Sequence, residues 1–174
     1  LSQYGPKPIV LIAPISAMET KNLLPHQLEA LVDGVITRGY SPVGIHNNPM
    51  PWFEKKGIPV IFGRSIRQWM SVIHAADYVV SVDTATFHCA GGMGKPLTGI
   101  YTWADGKIYG KYFDFVLCQL HRDTHPEWTC GPCYNWCSCP KTRTNPKPCL
   151  TELTTHMILS SVDKMFEKWP RTLT

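Results

Sequence analysis

Between Val82 and Pro96 the chain reads Val-Asp-Thr-Ala-Thr-Phe-His-Cys-Ala-Gly-Gly-Met-Gly-Lys-Pro, residue types that suit the end of a strand and the start of a helix built from small residues. A helix start of that kind binds phosphate. Its first N–H groups have no acceptor inside the helix, and the positive end of the helix dipole favours an anion. Thr84, Ala85 and Thr86 are small enough to let a diphosphate approach them, Gly94 suits a left-handed stop, and Pro96 prevents continuation. Taken as an isolated Asp-Thr-Ala tripeptide, the same residues make Asp83 an N-cap and the glycines packing aids. A second concentration of chemistry lies at Cys130, Cys133, Cys137, Cys139 and Cys149, opened by a CxxC pair. That pattern reads as a metal site, with structural disulfides as the competing reading. The same loop carries Pro126, Pro132, Pro140, Pro146 and Pro148 and needs a staple of one kind or the other. Tetrahedral sulfur suits zinc or iron. Cys89 and Cys118 lie in apolar segments and read as core residues.

The elements that must position these residues alternate in type. Short apolar runs at 9–13, 42–45, 58–62, 78–82, 97–101 and 115–120 read as strands. From Leu24, apolar residues recur at helical spacing through Leu28, Leu31, Val32, Val35 and Ile36, with Pro25 in the first turn and Gly39 as the stop. Asn47, Asn48, Pro49 and Pro51 mark a loop between the second and third strands. Ser65 reads as the N-cap of a helix with an apolar face of Ile66, Trp69, Met70 and Ile73. An aromatic, glycine-rich loop separates the last two strands. A closing helix over about 151–169 presents Leu153, Met157, Ile158, Val162, Met165 and Phe166 on one face. Strand–helix alternation of this kind predicts an α/β fold with an open, mainly parallel sheet and helices on both faces. The domain reading is a nucleotide-binding core over 1–120, a cysteine-rich insert over 121–150, and a carboxyl-terminal helix over 151–174 that packs on the core.

The segment 82–96 resembles the stretch reading roughly VDTGxxHLAAALGKP in family 9 glycosyltransferases, the ADP-heptose:lipopolysaccharide heptosyltransferase group, with Ala85 where a glycine usually stands. Upstream, Ala13-Pro14-Ile15-Ser16 followed by Lys21-Asn22-Leu23-Leu24-Pro25 is similar to the family's HPGxS and KRWP blocks. Gly63-Arg64-Ser65-Ile66-Arg67-Gln68-Trp69-Met70 is similar to its GxxSLxEL. The resemblance spans about residues 9–105. It implies a Rossmann-like carboxyl-terminal half of a two-domain GT-B enzyme, the half that binds the nucleotide sugar. In an open α/β sheet, ligands bind beyond the carboxyl ends of the strands. Ser16 and Lys21 follow the first strand, Gly63 to Ile66 the third, and Asp83 to His88 the fourth, so one ligand can touch all three blocks. Lys21 then neutralises diphosphate charge and Ser16 donates a hydroxyl hydrogen bond. Thr84 and Ala85 offer backbone N–H groups to the leaving diphosphate, Asp83 orients the turn or contacts the sugar, and His88 reaches a phosphate oxygen or the sugar. A hydrogen-bonded structural histidine is the other reading of His88. The resemblance further implies an inverting transfer to an acceptor hydroxyl without a catalytic metal, with the general base in an amino-terminal acceptor-binding domain that lies outside this sequence. Many family sequences carry a similar cysteine insert, an iron-binding finger in the autotransporter heptosyltransferase branch; matching it selects Cys130, Cys133, Cys139 and Cys149 as ligands of zinc or iron, with Cys137 left over or substituting for one of them.

At 174 residues the chain is long enough for one domain and short for a GT-B enzyme. A hydrophobic content of 44% with 17% charged residues is ordinary for a globular fold, and the longest apolar run is far too short to span a bilayer. With no leader-like start, the expected compartment is the cytoplasm. A net charge of +4 is compatible with an anionic ligand such as ADP-heptose and too small to point to nucleic acid without a basic cluster. Three rival functions are weighed. A dinucleotide-dependent oxidoreductase lacks its GxGxxG after the first strand and its acidic residue at Ile45-His46. A zinc-ribbon nucleic-acid binder explains the cysteines together with Lys141, Arg143 and Lys147, but not the remainder of the chain. A non-catalytic, metal-stapled nucleotide-binding or assembly module is the third.

Overall fold

The computed structural model of the chain describes residues 8–102, 104–120 and 148–170. Five of the strands expected from sequence are regular β-structure over most of their length: β1 (Ile9–Ala13), β2 (Ser41–Ile45), β4 (Tyr78–Val82), β5 (Leu97–Tyr101) and β6 (Val116–Gln119). The remaining one, β3, shortens to Val60–Ile61 at the sheet edge. All pair in parallel in the order β3-β2-β1-β4-β5-β6. Because the chain leaves β1 toward β2 and later returns to place β4 on the other side of β1, the topological switch point falls between β1 and β4.

Strands β1, β4 and β5 are buried along their whole length, as a parallel sheet covered on both faces requires. Alternate residues supply two separate cores. Val10, Ile12, Val80, Val82 and Ile100 face one, packed against helix α1 (Pro25–Thr37), helix α2 (Pro51–Lys55) and the final helix α7 (Thr155–Lys168). Ile9, Leu11, Ala13, Val79, Leu97 and Tyr101 face the other, with helix α3 (Ile66–Ala75) and helix α4 (Ala85–Gly92). Two further short helices, α5 (Gly106–Tyr109) and α6 (Pro148–Thr151), complete the described elements.

Helix ends follow the sequence closely. Pro25 opens α1, and Gly39 ends it at φ +85°, a value that only glycine adopts without strain. Ser65 caps α3 in a reciprocal box with Gln68, each side chain bonding the other's backbone N–H. The long closing helix is broken near its start. Thr154 accepts from Met157 N–H as the N-cap of α7, and the residues before it form the separate α6. Gln27 ties the two parts together: its amide donates to the carbonyls of Leu150 and Leu153 at 2.7 Å each, and its oxygen accepts from Leu24 N–H. Leu150 is buried on the core, so the end of the expected insert belongs structurally to the main domain.

Three readings from sequence are adjusted. The asparagine- and proline-rich loop after β2 contains α2, whose Phe53 fills the first core, and the aromatic, glycine-rich loop after β5 contains α5, capped by Asp105. On α3 only Ile73 is fully buried, while Ile66 and Met70 are exposed at 76% and 39%. Cys118 is buried and Cys89 only half-buried. Burial pushes both thiols up in pKa, Cys118 to about 11.

Candidate functional site

A cleft of about 430 Å³ opens beyond the carboxyl ends of β1, β2 and β4, inside the size range of small-ligand sites. One wall comes from the two sides of the switch point. After β1 the chain turns through Ser16 and a short 3-10 turn, Glu19–Lys21, before entering α1. After β4 it passes Asp83 and Thr84 into α4.

Lys21 and Asp83 join these two segments. Lys21 Nζ lies 2.7 Å from Asp83 Oδ2, with side chains 17% and 11% exposed. His88 Nε2, one turn along α4, lies 3.5 Å from the other carboxylate oxygen. Burial pushes the Asp83 carboxyl up, but the bonds from His88 and Lys21 and the Lys21 charge outweigh it and hold the group below the ordinary carboxylate range. An aspartate held so low is ionised and weakly basic at neutral pH. It orients and neutralises its neighbours rather than accepting a proton in a reaction.

The start of α4 is left open by local chemistry. Thr84 is the N-cap, not Asp83, and its side chain makes no capping bond to the helix. Its hydroxyl instead meets Ser81 Oγ at 3.1 Å. Ala85 is exposed at the cleft, and Ala85 and Thr86 present first-turn N–H groups that no helical carbonyl can reach. One residue further on, Phe87 anchors the helix: fully buried, it packs edge-on against Tyr101 and Phe115 at ring distances of 5.2 and 5.0 Å. It lies over Gly99, where a Cβ would stand 2.4 Å from its ring. Thr102 Oγ1 donates to Thr20 O at 3.0 Å and so fixes the turn that carries Lys21 to the end of β5.

The structure therefore brings Ser16, Lys21, Asp83, Thr84 and Ala85 into one cleft, while His88 stands behind Asp83 and is not part of the lining. Ser16 is committed to its own loop: its hydroxyl donates to Met18 O and accepts from Met18 N–H, and its N–H donates to Asn22 Oδ1. The third sequence block enters differently from expectation. Gly63 to Ile66 do not line the cleft, and Trp69 of the same block does. Sequence reading missed His46 and Asn47, which line the cleft from the end of β2. The signal was their position directly after the strand beside β1. Of the proposed metal ligands, Cys130, Cys133 and Cys139 lie outside the described residues, as does Cys137. Cys149 sits on α6, partly buried against the first core. Among the described residues no group of three or more His, Cys, Asp or Glu could hold a metal ion, and no helix is long and apolar enough to cross a membrane.

Residues 57–127 match the family model of glycosyltransferase family 9 (heptosyltransferase). No curated protein sequence matches the chain. Among solved structures, E. coli ADP-heptose lipopolysaccharide heptosyltransferase II shares the fold at a TM-score of 0.66 and 15% identity, over 93% of this chain and 47% of that one. The iron-containing dodecameric glycosyltransferase TibC from enterotoxigenic E. coli aligns at a TM-score of 0.73 and 15% identity, over 92% of this chain and 47% of its own. E. coli heptosyltransferase WaaC, solved with ADP, aligns at 0.66 and 14% identity, over 91% and 44%. The chain thus spans less than half the length of each of these proteins. The matched segment makes residues 57–127 of this chain similar to glycosyltransferase family 9 (heptosyltransferase), and the chain shares the fold of solved heptosyltransferases.

Proposed function

We propose that this chain is the donor-binding half of a two-domain, inverting family 9 glycosyltransferase, and that the cleft at the switch point holds the diphosphate of a nucleotide sugar such as ADP-heptose. The observation that carries the reading is the Lys21–Asp83 pair set across the switch point beside the open first turn of α4. Solved relatives with the same fold include WaaC with ADP and TibC in complex with ADP-D-beta-D-heptose.

Sugar transfer builds negative charge on the leaving diphosphate while the anomeric carbon becomes cationic. The first-turn N–H groups of α4, the helix dipole and the Lys21 ammonium are donors already aimed at that charge, so they stabilise it without reorganising. Asp83 holds the ammonium in place. Because Asp83 is ionised and already paired, the base that deprotonates the acceptor hydroxyl comes from an amino-terminal domain, and the chain alone transfers no sugar. The protein acts in the cytoplasm, and Cys130, Cys133, Cys139 and Cys149 hold one structural zinc or iron. The CxxC spacing supports the metal, and TibC is described as iron-containing.

Calorimetric titration of the folded chain with ADP, UDP and GDP tests the reading. At least one binds, and Lys21→Ala weakens it about tenfold, the loss of one charge-assisted contact. No binding at millimolar nucleotide overturns it. Sugar transfer by the purified chain alone removes the claim that the base lies elsewhere. Elemental analysis under reducing conditions finds about one metal per chain, lost in Cys133→Ser; paired cysteines in its place decide for disulfides.

A further inference from the structure

Among the described residues, one buried side-chain polar atom has no hydrogen-bond partner: the hydroxyl oxygen of Tyr101, at the carboxyl end of β5. The residue is fully buried. A hydroxyl taken out of water and left unbonded is a cost to the fold, so its place calls for a use.

That place is beside Asp83. Strands β4 and β5 pair in parallel up to Val82 and Ile100, so the next residues of the two strands, Asp83 and Tyr101, stand side by side on one face of the sheet, about 5 Å apart. The Tyr101 ring cannot swing out to solvent. Phe87 packs edge-on against it at 5.2 Å, and Gly106 lies so close that a Cβ there would come within 3.0 Å of the ring. Burial, then the Asp83 carboxylate, then Tyr109 push the phenol up in pKa. It therefore keeps its proton and stands as a donor near an ionised acceptor.

Asp83 has a use for a further donor. Its short bond is to Lys21 at 2.7 Å, its contact to His88 is longer at 3.5 Å, and its side chain is only 11% exposed. A diphosphate at the first turn of α4 competes for the same ammonium, and a buried carboxylate that loses its cation needs another partner.

We propose that Tyr101 is a positioning residue: when a diphosphate draws Lys21 from Asp83, the Tyr101 hydroxyl donates to the Asp83 carboxylate, directly or across one water, and keeps it ionised and paired. The trigger rests on the donor-binding reading above. The exchange of partners does not, because removing the Lys21 charge has the same effect on Asp83 as a diphosphate.

Urea unfolding of the wild type, Tyr101→Phe, Lys21→Met and the double variant tests the exchange as a cycle. In the wild type Tyr101→Phe deletes an unbonded hydroxyl, and the unfolding equilibrium constant stays the same or falls. In the Lys21→Met background the same substitution raises it about tenfold, the loss of a hydrogen bond to a charged group. Titration calorimetry gives a second reading on the stable single variant: Tyr101→Phe weakens both ADP and inorganic pyrophosphate about tenfold without loss of stability. An equal effect of Tyr101→Phe in the two backgrounds overturns the proposal, as does a Tyr101→Phe variant that binds ADP as tightly as a wild type that binds it. A wild type that binds neither ligand overturns the donor-binding reading and, with it, the trigger.

Discussion

Asp83 is the residue on which the site's electrostatics turn. Its carboxylate accepts from Lys21 and His88, and its pKa lies below the ordinary 3.8 because those bonds outweigh its burial. A carboxylate depressed by folding contributes stability that is present above its unfolded pKa and is lost as the pH falls through the lower folded value. Asp83→Asn is therefore expected to cost about 2 kcal/mol at neutral pH and to flatten the fall in stability below about pH 4, as read by urea unfolding at a series of pH values. An acid limb as steep as that of the wild type contradicts the assignment. Small residues after an apolar strand marked the start of α4 by their type, whereas Lys21 was singled out by its place in a segment that resembles a family block. What was not legible is pairing. Nothing in the string shows that Lys21 meets Asp83, that Thr84 turns its hydroxyl to Ser81, or that Ser16 bonds its own loop. His46 and Trp69 were hidden for a different reason: one looked like a strand-end histidine and the other like a helix's apolar face, and only the fold sets them at one cleft.

The element that matters most is α4, which must present its first turn to the cleft while its body stays fixed. Its own sequence is poorly amphipathic, so its position depends on Phe87 seated over Gly99. Gly99→Val drives two methyls into that ring and is expected to cost about 2 kcal/mol. The same substitution weakens nucleotide binding, because α4 must shift; unaltered stability in thermal melts would show that the ring has room. At the far end of the chain, Gln27 is fully buried and satisfies the carbonyls of Leu150 and Leu153. Gln27→Leu leaves those acceptors unpaired and is expected to cost about 3 kcal/mol, with faster hydrogen exchange in α6 and α7. Strand positions were readable to within two residues because buried parallel strands are short apolar runs bounded by glycine, proline and polar residues. The short helices α2 and α5 were not, since one turn of helix inside a proline- or glycine-rich loop has too few residues to show a period. The exposed face of α3 also escaped: helical periodicity reports an apolar stripe, and not whether anything covers it.

At the scale of the molecule, the sheet order places a switch point between β1 and β4, and among the described residues Lys21 and Asp83, the Lys, Arg, Asp and Glu side chains of the cleft, stand at it. A six-stranded parallel sheet of this order serves many chemistries, so the fold itself does not choose among them. The choice comes from the matched family segment and from a cleft that pairs a lysine with an open helix start. The proposed function gives the donor to this arrangement and gives the acceptor and the base to another domain. A structure of the chain crystallised with saturating ADP tests the central claim most directly. The account predicts the terminal phosphate at the first turn of α4, within hydrogen-bond distance of Ala85 or Thr86 N–H and of Lys21 Nζ. ADP seated elsewhere on the molecule, with this cleft unoccupied, would contradict it.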